Sequence, residues 1–228
     1  MTNGTWCAED GDCNPLRLLQ ALHAAVAQAG CRYVPDAAVA TIDVHERRFL
    51  LHTPRGDVEA RRVVLAAGLG NARLAPMVGI EAPVRPNKGQ VVVLERMAPF
   101  LPFPLETLRQ TDDGTVLIGD SQQDLGADET LDVAVLAAMA ARAVAAFPAL
   151  AGRRVVRAWA ALRVMSPDGF PIYAQSRAHP GAFVVTCHSG VTLAAVHAHV
   201  LGPALLAGAL PEACAAYAAE RFDVRAAA

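Results

Sequence analysis

Residues 63–68 read Val-Val-Leu-Ala-Ala-Gly, a continuous apolar run that comes after Arg61-Arg62 and ends on glycine. A strand with no polar alternate suits a sheet buried on both faces, as parallel sheets of α/β folds are. The residues beyond the run restrict the fold further. A dinucleotide-binding unit needs a glycine loop between strand and helix, with a third glycine for close helix–strand packing. In RRVVLAAGLGNAR that third position is Arg73. Glu95 imitates the acid that would bind a ribose, but Pro76, Pro83 and Pro86 leave no room for a crossover helix before it. The run therefore predicts a central strand of an α/β layer that carries no dinucleotide fingerprint of its own.

Around this strand the chain divides. Asn14-Pro15 ahead of LRLLQALHAAVAQAG predicts a helix capped by Asn14, opened by Pro15 and closed by Gly30. Leu16, Leu19, Leu22 and Val26 form one apolar stripe on it. Segments 37–45 and 48–53 predict strands joined by a charged turn, and Pro54-Arg55-Gly56-Asp57 is the next turn. From Pro83 to Arg157 the pattern changes. Strand-like runs at 90–95, 105–111 and 115–119, split by proline- and glycine-containing turns, predict an antiparallel sheet. Val133, Leu136, Ala137, Ala140, Val144 and Phe147 then keep helical spacing until Pro148. Strands are expected over 153–165, 170–176 and 182–187, and a buried helix from Gly190. The expected class is α/β (α+β): a partial Rossmann-like domain over 1–82 and 158–228, with a smaller, mostly antiparallel domain inserted over 83–157.

Composition removes several kinds of protein. Hydrophobic residues make up 54% and charged residues 18%, which excludes a disordered chain. A net charge of −2 without any basic block argues against nucleic acid or an acidic membrane surface as partner. The five cysteines show no CxxC spacing and read as reduced thiols, not as a disulfide framework. Cys7 and Cys13 beside Asp10 and Asp12 match no standard metal spacing, and His197 and His199 would point to different faces of a helix. No metal site is expected. Residues 190–210 are apolar over about the length of a membrane span, yet His197, His199, Gly202 and Pro203 stand in their middle. A buried helix, not a span, is the expectation. The first fifteen residues show neither a basic leader nor an apolar core, so no export signal is expected and the cytoplasm is the expected location.

Several stretches carry a resemblance. VVLAAGLGNARLAPMVGI resembles the second nucleotide-contacting strand of the FAD-dependent D-amino-acid oxidase and glycine oxidase family, where the run reads roughly VVLAAGAWS. The similarity continues through EDGDCNPLRLLQALHAAVAQAGCRY, PVRPNKGQ, PDGFPIY and CHSGVTLA, and so covers nearly the whole chain. RAWAALRVMSPDGFPIY is most similar to the subgroup of glycine oxidase, hydrogen cyanide synthase and D-hydroxyproline dehydrogenase. The resemblance implies oxidation of a small amino or imino acid by hydride transfer to FAD. Arg163, in ALRVMSPDGFP, stands where the family's arginine holds the substrate carboxylate. A guanidinium suits that task because two parallel N–H groups meet two oxygens. On the residues alone, an arginine paired with a core acid such as Asp168 is the alternative.

The resemblance also implies that the backbone of Ala67 and Gly68 passes beside FAD, and that Val39 meets its adenine side; an apolar strand residue there also reads simply as core. Ser189, Gly190, Val191 and Thr192 lie where an apolar strand gives way to a helix. Free amides at such a junction suit the flavin's pyrimidine edge, while a serine-capped core helix is equally compatible. His188 stands at a substrate-side position. Relatives with covalent flavin carry a cysteine where Ala161 stands, so non-covalent FAD is implied. The family's opening strand–GxGxxG–helix is missing from the sequence. Three readings remain open: a partial oxidoreductase, a subunit whose partner supplies the nucleotide-binding half, or a non-catalytic domain that keeps the fold.

Overall fold

The computed structural model describes Thr5 and residues 7–222; the expected domain ends at 1–4, 6 and 223–228 lie outside these. In chain order the strands are β1 Thr41–His45, β2 Arg48–His52, β3 Val58–Ala60, β4 Val63–Leu65, β5 Arg85–Arg96, β6 Leu108–Gln110, β7 Thr115–Ile118, β8 Val155–Met165, β9 Ile172–Gln175 and β10 Ala182–Thr186. The helices are α1 Pro15–Gln28, α2 Asn71–Leu74, α3 Val133–Ala146, α4 Ala194–Val196 and α5 Gly202–Ala207. Two compact units form, one from the residues up to Cys31 with Asn87–Arg163, the other from Arg32–Pro86 with the chain from Val164 onward.

The first unit is built on a sheet ordered β6-β7-β5-β8, in which β7 runs antiparallel to both β6 and β5. Side chains alternate across it, and Val92, Leu94, Leu108, Val116 and Ile118 turn inward to meet Met139 and Ala143 of α3. Helix α3 starts because the Asp132 carboxylate accepts the amides of Ala134 and Val135 at 2.9 and 3.3 Å, and it stops one residue short of Pro148. Helix α1 obeys the same rules. The Asn14 side chain accepts the amides of Leu16 and Arg17 at 3.1 and 3.2 Å, Pro15 occupies the first position, and Gly30 takes φ +71° beyond its end. Arg17 ties α1 to Asp112 at 2.9 Å, and Arg109 holds the Cys13 carbonyl at 2.7 Å. The apolar stripe nevertheless faces out: Leu16 is 77% exposed, and no residue of α1 is buried.

The second unit holds two three-stranded sheets. β1-β2-β3 is antiparallel, with left-handed Glu46 and Arg47 making the tight turn between β1 and β2. β3 answers to no strand expected from the sequence; with three residues it is too short to show an alternation. The other sheet is ordered β4-β10-β9, with β4 parallel and β9 antiparallel to β10. Phe49, Val63, Leu65, Ile172 and Val184 lie in the core of this unit. Two expectations are corrected. β4 is an edge strand, not a central one buried on both faces: Val64 is 42% exposed, because among the described residues only β10 pairs with β4. The helix expected from Gly190 begins at Ala194, passes through a π-helical turn at His197–Leu201 and buries only Leu201. No single described helix is long and apolar enough to cross a membrane, and Ala194–Ala207 and Glu212–Phe222 are bent by 104° at their junction.

Candidate functional site

In open α/β sheets ligands gather beyond the carboxyl ends of the parallel strands. Here these are the ends of β4 and β10, and a buried polar atom without a partner lies in the last residue of β10 and on the short helix that follows β4. After β4 the chain passes through Ala67 and the left-handed Gly68 (φ +58°) into a tight 3₁₀ turn and the four residues of α2. Asn71, fully buried, accepts the Ala67 amide at 3.1 Å, while its Nδ2 donates to nothing. At the end of β10 the buried Thr186 hydroxyl is likewise unpartnered. An orphaned buried polar group costs about 1–3 kcal/mol, so two of them in the segments that follow and end two neighbouring parallel strands fit a site completed by a polar ligand.

The turn after Thr186 carries the exposed residues 188–192. His188 Nδ1 meets Ser189 Oγ at 3.1 Å, and the Leu193 amide donates to the Ser189 carbonyl at 3.0 Å. The amides of Gly190, Val191 and Thr192 donate to no other described residue. Ser189 does not cap the helix with its side chain, as one reading of the sequence had it; its hydroxyl is turned to His188. Beneath the turn Tyr173 meets His197 at 2.9 Å. Burial pushes the Tyr173 phenol up to about 12 and the His197 imidazole down, so this pair stays neutral at ordinary pH. Burial also pushes the Cys187 thiol up, which favours its protonated form. Val39 lies two residues before β1, outside the strand in which it was expected, and its carbonyl accepts from Arg73 at 2.8 Å.

Arg163, on β8, sits in the first unit and is one-quarter exposed. Nη2 donates to Asp120 Oδ1 at 2.7 Å, and Nη1 to the Ser121 carbonyl at 2.8 Å and to Asn87 Oδ1 at 3.3 Å. Asp168, the acid expected from the sequence as an alternative partner, belongs to Arg221 instead, at 2.8 and 3.0 Å. That arginine, with the Phe170 amide and the Ser166 hydroxyl, holds the Asp168 carboxyl well below the usual range and fixes the Pro167–Phe170 turn. Asn71, Thr186, Asp120 and Ser121 carry no periodic or motif signal in the sequence. Asn87 lies in the PNKGQ run, where the resemblance was the one available sign.

The profile of the family described as FAD dependent oxidoreductase matches residues 1–202. The chain belongs to that family. An opine oxidase subunit of Rhizobium meliloti is 43% identical over 96% of this chain and 59% of its own length. Glycine oxidase of Pseudomonas putida is 33% identical over 71% of the chain and 46% of its own. A hydrogen cyanide synthase subunit of Pseudomonas aeruginosa is 31% identical over 94% and 54%. Among solved structures, glycine oxidase from Geobacillus kaustophilus superimposes with a TM-score of 0.80 at 23% identity, over 90% of this chain and 57% of that one. L-proline dehydrogenase from P. horikoshii does so at 0.83 and 17%, over 92% and 60%. The fold is therefore that of the oxidoreductase family, and the chain spans about half the length of such relatives.

Proposed function

We propose that the chain is the larger part of an FAD-dependent oxidoreductase that oxidises a small amino or imino acid. The observation that carries this reading is the pair of orphaned polar atoms, Thr186 Oγ1 in the last residue of β10 and Asn71 Nδ2 on α2, the element that follows the parallel neighbour β4. In this reading the unit containing β4 and β10 is the FAD-facing domain and the unit containing β5–β8 the substrate domain. The backbone of Ala67, Gly68 and Val39, together with Ser189, Gly190, Val191 and Thr192, holds FAD without a covalent bond. Bound FAD supplies the hydride acceptor. The undonated amides of residues 190–192 are suited to an acceptor edge that gains negative charge. Arg163 takes the substrate carboxylate, with His188 beside the substrate. No side-chain base is needed where the amine arrives neutral, and water hydrolyses the released imine.

A second polypeptide segment or subunit carrying strand–GxGxxG–helix completes the nucleotide site. The open edge of β4 supports this, as does the word subunit in the names of two relatives. The five free thiols suit a reducing cytoplasm. The test is to purify the chain alone and together with such a segment, add FAD, and measure the flavin retained. Glycine, D-proline, D-hydroxyproline, D-alanine, sarcosine and an opine are then tried for bleaching of the flavin's visible absorption. Retention in the assembled form and bleaching by at least one of them is expected. A defined complex that retains FAD and is bleached by none would favour the alternative, a non-catalytic assembly subunit.

A further inference from the structure

The run Asn87-Lys88-Gly89-Gln90 has no part in the proposed reaction, yet every side of it is committed. Side chains alternate across strand β5. On one face Asn87 meets Arg163, and a Cβ placed on Gly89 would lie 2.4 Å from Nη1, 2.6 Å from Cζ and 2.7 Å from Nη2 of the same guanidinium. Near-equal distances to three atoms of a planar group mean that it lies face-down on the bare backbone. On the other face Lys88, 1% exposed, donates to Asp128 Oδ2 at 2.6 Å and to the Thr130 carbonyl at 2.9 Å. Gln90 donates to Gln123 at 2.7 Å and accepts the Asp132 amide at 2.9 Å, and its own amide donates to Ser121 Oγ at 2.8 Å. These contacts tie the 120–132 segment to β5, and that segment brings Asp120 and the Ser121 carbonyl to the guanidinium.

We propose that Gly89 and Asp120 are positioning residues of the carboxylate-binding site: Gly89 is the bed on which the Arg163 guanidinium lies, and Asp120 clamps its edge. A guanidinium has five N–H donors. Three are used within the first unit, which leaves Nε–H and one hydrogen of Nη2, two donors on neighbouring nitrogens. That is the number a carboxylate takes in a two-pronged contact. The inference rests on the reading of Arg163 as the carboxylate ligand, and it names what holds that ligand still. A methyl group at 89 forces the guanidinium to move by about 1 Å, and a displacement of that size can reduce function on the order of a hundredfold.

The test uses the full chain grown with isotope-labelled arginine, the Arg163 Nε–Hε signal being assigned with Arg163→Lys. Propionate, a carboxylate without an amine, is the probe, and melting temperature is measured in parallel. Gly89→Ala is expected to speed exchange of that proton and to weaken propionate binding tenfold or more. Asp120→Asn keeps an acceptor but loses the charge, and should weaken binding about fivefold, the difference between a charged and a neutral hydrogen bond. Tighter binding in Asp120→Asn would mean that Asp120 competes with the ligand, and overturns its positioning role. An unchanged exchange rate and affinity in Gly89→Ala overturns the bed. Should Gly89→Ala not fold, Asp120→Asn decides on the same two readouts. If propionate leaves the wild-type signal unmoved, the carboxylate reading of Arg163 fails, and the exchange rate alone judges the seat.

Discussion

Helices α1 and α3 obey the same local rules and meet opposite fates. Each has 14 residues, and each comes after an Asn or Asp whose side chain accepts two first-turn amides. Both carry apolar residues at helical spacing. Helix α3 lays Met139 and Ala143 against the sheet of its unit, while α1 buries no residue at all. The difference teaches that an apolar stripe states what a helix needs, not where the covering surface comes from. For α3 the cover is a sheet of the same chain; for α1 no cover exists among the described residues.

The largest test of this contrast is a pair of truncations. Met139→Ala should destabilise the fold by about 2–5 kcal/mol, since Met139 is 1% exposed and leaves a cavity. Leu22→Ala on α1, where half the side chain already meets water, should stay within about 0.5 kcal/mol. Urea unfolding of both variants checks this, and equal losses would mean that α1 is covered after all. The caps come next. Asp132→Ala should cost about 0.5–2 kcal/mol of global stability. Asn14→Ala removes the same kind of hydrogen bonds, yet should lower amide-exchange protection only within α1, leaving the urea midpoint almost unmoved.

Charges repeat the contrast on a smaller scale. Asp128 pairs with a covered partner: the hydrogen bond from buried Lys88, then those from Thr130, hold its carboxyl at about 2, below the ordinary 3.8. A depressed folded value contributes stability above pH 3.8 that is lost as pH falls through about 2. Asp128→Asn should flatten unfolding midpoints across that acid window. His52 is the uncovered counterpart, its ring nitrogens 3.0 and 2.9 Å from Asp43 and Asp57. Those two hydrogen bonds raise its value above 6.5, so its contribution is complete below pH 6.5 and disappears as pH rises through the raised value. Because the site is open to water, this is the smallest effect, read as a shallow slope in melting temperature that His52→Gln should remove.

Legibility tracked the range of the forces involved. The cap at Asn14, the strand-like run of β7, the glycine-ended run of β4 and the stop at Pro148 depend on neighbours in sequence, and could be read there. The guanidinium's surroundings could not. Arg163 stood out through a resemblance, but its partners Asn87, Asp120 and Ser121 lie 76, 43 and 42 positions away, in segments without periodic pattern. Asn71 and Thr186 became notable only because the folded chain buries both, one on the helix after β4 and one at the end of its parallel neighbour β10, and leaves a polar atom of each unsatisfied.

By itself, then, the sequence determined where α1, α3 and most of the strands lie, that the 83–157 stretch is mostly antiparallel, and that RRVVLAAGLGNAR is not a dinucleotide fingerprint. Those outcomes come from backbone sterics, caps and periodic burial, which act over a few residues. Only the tertiary structure decided that α1 buries no residue, that β4 is an edge, that Arg163 answers to Asp120 and not to Asp168, and that Gly89 lies under the Arg163 guanidinium. Each of these depends on which distant segment fills the space beside a residue, and close packing makes that a property of the folded chain as a whole.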